Sequence, residues 1–144
     1  MNLRIHYLAI FFISFLLLTQ NGFSQSTRAT LPKLEVSKNH HYFTTEDGKP
    51  FFWLGDTGWL TFGKLDREGV NKYFQDRKAK GFNVIQVMVL HNINAVNVYG
   101  DKALVNEDVS KPITTPGNNF NNKEEYDYWD HIDYALDVAQ KNGI

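Results

Sequence analysis

The sequence predicts an α/β fold in which strands alternate with helices and the strand ends carry the chemistry. Three observations lead there: an almost continuous β-branched and apolar run from Phe82 to Leu90, helical periodicity in the segments on either side of it, and a glycine closing each of those segments, Gly81 and Gly143. The chain has 144 residues, close to the length of one average domain. Its 15 Lys plus Arg stand against 16 Asp plus Glu, a balance that supplies no basic field and disfavours nucleic acid as a partner. The absence of cysteine removes disulfides, thiolate nucleophiles and Cys-type metal sites together, so packing alone must hold the fold. Aromatic residues make up 15% of the chain, which hints at a surface that stacks on something flat.

The amino terminus reads as an address. Arg4 precedes an uncharged apolar run, Tyr7 to Leu18, and the polar, turn-prone Thr19 to Gly22 follows. That run is shorter than the roughly 20 apolar residues a spanning helix needs, so residues 1–24 are expected to be a secretory signal peptide. Gly22 and Ser24 are the small residues that place cleavage after Ser24, and the expected location is secreted or periplasmic, with the membrane touched only through the export signal. Residues 25–33 are rich in Ser and Thr with a proline at 32, and are expected to form a flexible linker.

The remaining span, 34–144, is expected to be part of a catalytic domain. Leu34-Glu-Val36 and Tyr42-Phe43 alternate weakly around the Asp47-Gly48 turn signal, which predicts one or two short hairpins. Phe51 to Leu54 is the first core strand. Asp66 then caps a helix that shows Val70, Tyr73, Phe74 and the Arg77 stem on one face and ends at Gly81. The Phe82–Leu90 run suits a parallel strand covered on both faces. Residues 91–123 form a connection far longer than the 2 to 6 residues usual between strand and helix, and long connections of this kind commonly carry function. Asn121 or Asn122 is expected to cap a last helix from Lys123 to Lys141, with Trp129, Ile132, Leu136 and Ala139 on its buried face.

Gly143-Ile144 repeats the Gly81-Phe82 step from helix into strand, so a third parallel strand is the expected continuation. Two parallel strands leave their edges unpaired. The chain therefore reads as the front portion of a larger barrel or open sheet, cut after its second βα unit.

If strand ends form an active face, Asp56, Thr57 and Trp59 fall on it after the first core strand, and His91 and Asn92 fall on it after the second. A carboxylate beside an indole suits sugars, because Asp accepts from paired hydroxyls and the ring stacks on C–H groups. The alternative is that Asp56 only ties down its own turn. Asp56-Thr57-Gly58 also matches the aspartic protease tripeptide, but a tripeptide is weak, Trp59 stands where that motif carries a small residue, and helical periodicity argues against an all-β protease. Asp130, His131 and Asp133 read as a solvated helix face, and Tyr126, Tyr128 and Trp129 as helix packing. His40 and His41 are adjacent and do not easily ligate one ion, so no metal is expected.

Three blocks, Phe52 to Leu60, Tyr73 to Val87 and Tyr128 to Asp133, resemble the opening of the apiosidase-like glycoside hydrolases, and the likeness runs from about residue 34 to 144. The resemblance implies the amino-terminal portion of a (β/α)8 TIM barrel that removes apiose-containing or related glycosyl groups from plant cell-wall glycans with retention of configuration. Such a mechanism uses two carboxyl groups about 5 to 5.5 Å apart. In the family these lie on later strands, so no catalytic residue is carried over and they are expected beyond residue 144. Asp56, Thr57 and Trp59 are carried over as a substrate wall, with His91 and Asn92 beside it. The expected partner is an oligo- or polysaccharide and no cofactor is implied. The competing class is a non-catalytic carbohydrate-binding or structural remnant.

Overall fold

The computed structural model describes residues 31–144. The expected signal peptide and most of the expected linker lie outside the described residues.

Leu34–Val36 (β1), Phe43–Thr45 (β2) and Pro50–Phe51 (β3) form an antiparallel meander in that order, as the hairpin signals predict. The β2–β3 turn closes where Gly48, at φ 81°, donates its N–H to the Thr45 carbonyl at 2.8 Å. Gly55–Thr57 (β4) and Val84–Gln86 (β5) form a separate parallel pair in the register Gly55↔Val84, Asp56↔Ile85, Thr57↔Gln86.

The first core strand therefore does not run from Phe51 to Leu54. Phe51 belongs to the meander, and the parallel strand begins at Gly55. The cause is the Asn83 side chain, whose Nδ2 donates to the Phe52 carbonyl at 2.7 Å and whose Oδ1 accepts from the Leu54 N–H at 2.9 Å. One amide thus satisfies backbone groups that a strand would give to a ladder. Between them Trp53 turns back over Phe43, ring centroids 5.6 Å apart.

After β4 come a single turn, Thr61–Lys64 (α1), and the helix Arg67–Ala79 (α2). Asp66 caps α2 by accepting from the Gly69 N–H at 2.7 Å, and Val70 and Phe74 are buried. At its end Gly81 takes φ 83°, the Phe82 N–H reaches back to the Arg77 carbonyl at 3.0 Å, and the Gly81 N–H reaches the Lys78 carbonyl at 2.9 Å. This 6→1 and 5→2 pair is a Schellman stop, and its left-handed position is the reason for glycine. The last helix, Tyr128–Lys141 (α3), stops identically: Ile144 donates to Ala139 at 3.1 Å and Gly143 to Gln140 at 3.0 Å, with Gly143 at φ 73°. The likeness of the two glycine steps in the sequence is a likeness of backbone geometry.

Two expectations for α3 are corrected. It begins at Tyr128, not Lys123, because the cap is Asp127: its side chain accepts from the N–H groups of Trp129 (2.7 Å) and Asp130 (3.1 Å). Asp130 in turn accepts from the Asp127 N–H at 2.9 Å, which completes a capping box. The buried face of α3 carries Tyr128, His131, Ile132, Ala135, Val138 and Ala139, whereas Leu136 is exposed. The face is set by Tyr128, whose hydroxyl donates to the Val89 carbonyl at 2.6 Å, so that the ring sinks completely with its polar tip satisfied.

The parallel pair is covered on one side only. Asp56 and Ile85 turn towards the helices, and by the period of two Gly55, Thr57 and Gln86 turn away and are exposed. Coverage of β5 on both faces is therefore not found among the described residues.

The long connection to α3 is pinned by polar contacts. It carries isolated bridges Val96↔Lys102 and Leu104↔Pro112 and a tight turn at Val105–Glu107 that is not helical at Asn106. Trp129 Nε1 donates to the Ala103 carbonyl at 3.1 Å, and the second Asp127 carboxylate oxygen accepts from the Thr115 N–H at 2.7 Å. Asp127 therefore fastens both the helix start and the connection. Its replacement by alanine should destabilise the protein by about 2 kcal/mol, read from urea denaturation, since three partly buried N–H donors lose their acceptor together.

Candidate functional site

The carboxyl ends of β4 and β5 and the amino-terminal turns of α1, α2 and α3 meet at one end of the molecule, as parallel βα order requires. There Leu60, Lys64, Met88, His91, Asn92 and Tyr128 line a cleft of about 130 Å³, with Asn94 and Ala95 also on its wall. Of these, Tyr128 is buried, and the Met88 N–H donates to the Trp59 carbonyl at 3.0 Å, joining the two strand ends beyond the ladder.

The five residues expected to face substrate separate into three groups. His91 and Asn92 line the cleft, and Trp59 lies at the same end, 57% exposed as a residue. Thr57 lies on the open side of the strand pair, where Trp53, Gly55 and Gln86 border a shallow depression with it. Asp56 turns the other way, to α2.

Asp56 Oδ2 accepts from Arg77 Nη1 at 2.9 Å and from the Tyr73 hydroxyl at 3.1 Å. Partial burial works against the charge, but the Thr57 N–H, the Tyr73 hydroxyl and the Arg77 guanidinium outweigh it and hold the carboxyl below its usual range. Burial and the adjacent carboxylate push the Tyr73 hydroxyl up to about 12, so it remains a donor. Arg77 is fixed further by Asp76 at 2.5 Å and by the faces of Tyr73 and Phe82, each 5.4 Å from the guanidinium. Gly58 is required beside this cluster, because a Cβ there would stand 2.6 Å from the Tyr73 hydroxyl and 2.7 Å from Thr61 Oγ1. The turn-tying alternative weighed for Asp56 thus gains a wider form: Asp56 ties the strand end to α2.

This geometry also disposes of the protease reading. A proton-sharing dyad needs two carboxylates, whereas the partner of Asp56 is a guanidinium that keeps it ionised.

The cleft also holds residues that motif reading missed: Leu60, Lys64, Met88, Asn94 and Tyr128. No spacing signal could have found them, because they come from three separated elements that only the fold brings together. Among the described residues, no carboxylate lines this cleft. Nor does any group of three or more His, Asp or Glu side chains among them converge as a metal site.

His131 is the clearest departure from expectation. It is not on a solvated face but completely buried, with Nε2 2.8 Å from the Leu65 carbonyl and Nδ1 3.5 Å from the Tyr126 hydroxyl. The carbonyl can only accept, so Nε2 carries the proton and Nδ1 is the acceptor. Arg67 Nε donates to the same Tyr126 hydroxyl at 3.4 Å, and its guanidinium lies 4.3 Å above Phe120 and 4.1 Å above Tyr134. Burial, with Arg67 adding to it, lowers the His131 pKa against the opposing pull of the Leu65 carbonyl. The expected packing role of Tyr126 and Tyr128 is found, since both are 2% exposed.

The family model described as "Apiosidase-like, catalytic domain" matches residues 37–144. The chain belongs to the apiosidase-like family. Two solved structures resemble it at a TM-score of 0.65: a "Glycoside hydrolase" at 40% identity and a glycoside hydrolase family 5 protein from Bacteroides vulgatus at 39%. Each match covers 81% of this chain and 25% or 24% of the other, so the chain spans about a quarter of the length of the solved glycoside hydrolases it matches. A comparison with curated proteins finds no match. In this apiosidase-like chain the blocks around Asp56 and Tyr73 that carry the resemblance are the two sides of one ion-paired joint.

Asp56→Ala is expected to lower the thermal unfolding midpoint, because Arg77 and Tyr73 lose their shared acceptor. The pKa of Asp56 is depressed in the folded state, so its contribution is present above the ordinary carboxylate pKa of about 3.9 and lost as pH falls through the folded value. A normal melting curve with impaired sugar binding would return Asp56 to the substrate. His131 has the opposite chemistry but the same direction. As pH falls through about 6.5 the unfolded chain takes a proton that the buried ring refuses, so stability drops until the lower folded pKa is reached. Melting curves at about pH 7.5 and pH 5.5 should differ more for the native protein than for His131→Gln; parallel shifts would reject this.

Proposed function

We propose that this chain is the amino-terminal section of an exported (β/α)8 glycoside hydrolase that removes apiosyl or related groups from plant cell-wall glycans. The observation that carries the reading is the family match over residues 37–144 together with the arrangement of the cleft, which lies at the carboxyl ends of parallel strands. Two further features support it. The β4–β5 pair has an open side carrying Gly55, Thr57 and Gln86, the place where further strands of a barrel would turn their side chains inward. The Schellman stop of α3 delivers Ile144 to the core as that of α2 delivers Phe82 to the step before β5.

In this reading Trp59 offers its exposed ring to the C–H side of a sugar, and His91 and Asn92 offer donors and acceptors to its hydroxyls. Thr57 borders the inner side of the sheet. Asp56 acts through Arg77 and Tyr73 as a positioning residue that holds the strand end bearing Trp59. The reaction is a retaining displacement by two carboxyl groups. Neither is assigned to a described residue, in keeping with a cleft that has no acidic wall. Export rests on the Arg4 to Ser24 pattern in the sequence.

The same lack of an acidic wall favours one second reading, a module that binds glycan without cutting it. The product of the full open reading frame containing these residues separates the two. With 4-nitrophenyl apioside as substrate, proton NMR should show apiose released first in the anomeric configuration of the substrate. Release of the opposite anomer would overturn the two-step mechanism, and glycan binding without any release would favour the binding module.

A further inference from the structure

The connection between β5 and α3 contains a backbone feature that packing does not explain. Asn106 and Glu107 are consecutive left-handed residues, at φ 49° and 62°, and the Asp108 N–H closes their turn on the Val105 carbonyl at 3.0 Å. Two left-handed central residues define a turn of type I′ handedness, in which Asn suits the first position and Gly the second. Asn106 fits that preference. Glu107 stands where a side chain is disfavoured, because its Cβ crowds the following carbonyl.

Glu107 has no compensating partner among the described residues: its carboxylate enters no hydrogen bond or ion pair there. It borders a second cleft instead. Asn94, Ala95, Lys102, Leu104, Asn106 and Glu107 line a space of about 230 Å³. Asn94 and Ala95 belong to this cleft and to the strand-end cleft alike, so the two adjoin across a common wall. That wall is firm. Ala95 and Leu104 are buried to 8% and 5% exposure, and the Ala95 carbonyl accepts from the Ala103 N–H at 3.0 Å.

We propose that Asn94, Lys102, Asn106 and Glu107 form a second sugar-binding cleft that continues the strand-end cleft, so that the substrate is an oligosaccharide with at least two units held on either side of Asn94. The chemistry favours a neutral sugar. Glu107 accepts from hydroxyls, Asn94 and Asn106 both donate and accept, and Lys102 offsets the carboxylate so that neither an anion nor a cation is selected. Leu104 and Ala95 supply the apolar ground on which the C–H edge of a ring lies. Strained residues of this kind concentrate where a side chain is held for use. This assignment rests on the glycoside hydrolase reading and narrows it, since a single glycosyl group on a small leaving group would fill only the first cleft.

The test compares the full-length native hydrolase with Glu107→Gly, a substitution that relieves the turn. The substrates are 4-nitrophenyl apioside and an oligosaccharide in which apiose is linked to neutral sugar units. The variant should unfold at the same or a higher temperature. Its kcat/KM should fall at least about tenfold further on the oligosaccharide than on the nitrophenyl glycoside, mainly through KM. Equal effects on both substrates, or none on the oligosaccharide, would overturn the second cleft while leaving the hydrolase reading intact. If the native protein cleaves neither substrate, the hydrolase reading fails on its own. Saturation-transfer NMR with the oligosaccharide then decides the cleft. A transfer signal present with the native protein and abolished by Glu107→Gly supports it; a signal missing from the native protein, or unchanged in the variant, overturns it.

Discussion

The structure depends on closing two helices over one side of the parallel β4–β5 pair while leaving their first turns polar. Val70 and Phe74 of α2 and Ile132, Ala135 and Ala139 of α3 form the apolar part of that closure. Burying such side chains contributes roughly 1.5 to 3 kcal/mol for each large one, but the attraction has no direction and would tolerate sliding. Polar contacts remove the freedom. His131 locks α3 to the Leu65 carbonyl just before α2, and Arg67 lies between Phe120 and Tyr134, so helix, helix and connection share one joint. Asn71 Nδ2 adds a bond to the Tyr134 hydroxyl along the same seam.

That joint decides where the cleft stands. The starts of α2 and α3 lie at the end where β4 and β5 finish, and the residues that fix them, Asp66 and Asp127, satisfy amide groups that would otherwise compete for any ligand nearby. Tyr128 then carries the position of α3 directly to the strand end by its bond to Val89. A displacement of α3 would move Tyr128, and with it one wall of the cleft shared with His91 and Asn92. At the other strand, Arg77 and Tyr73 hold Asp56 and so set the path of the chain towards Trp59. Fold and candidate site are therefore joined by side-chain hydrogen bonds more than by the short β ladder, which pairs Gly55, Asp56 and Thr57 with Val84, Ile85 and Gln86 and nothing further.

Several elements were legible from local chemistry. Asp66 and Gly81 mark the ends of α2 because a carboxylate must meet free N–H groups and a left-handed residue must follow the last turn, and both demands are met within a few residues. The same reasoning reads Gly143 and the Asp47-Gly48 turn. The β4 boundary was not legible, since its displacement comes from Asn83, some thirty residues away in sequence, satisfying the backbone of Phe52 and Leu54. The start of α3 differs from the expectation because Asn121, Asn122 and Asp127 are all competent caps; Asp127 gains both a reciprocal bond with Asp130 and, from outside the helix, the N–H of Thr115.

The sequence by itself determined the α/β class, the two helix stops and the resemblance to the apiosidase-like family, because each rests on residues that act within a turn or two of one another. Tertiary structure alone decided that Asp56 faces a guanidinium instead of open solvent, that His131 is buried, and that Lys64, Met88 and Tyr128 share a cleft with His91. The physical reason is the same in each case. Burial and ion pairing are properties of neighbours in space, and neither the period of a strand nor that of a helix says which distant side chain will arrive to complete them.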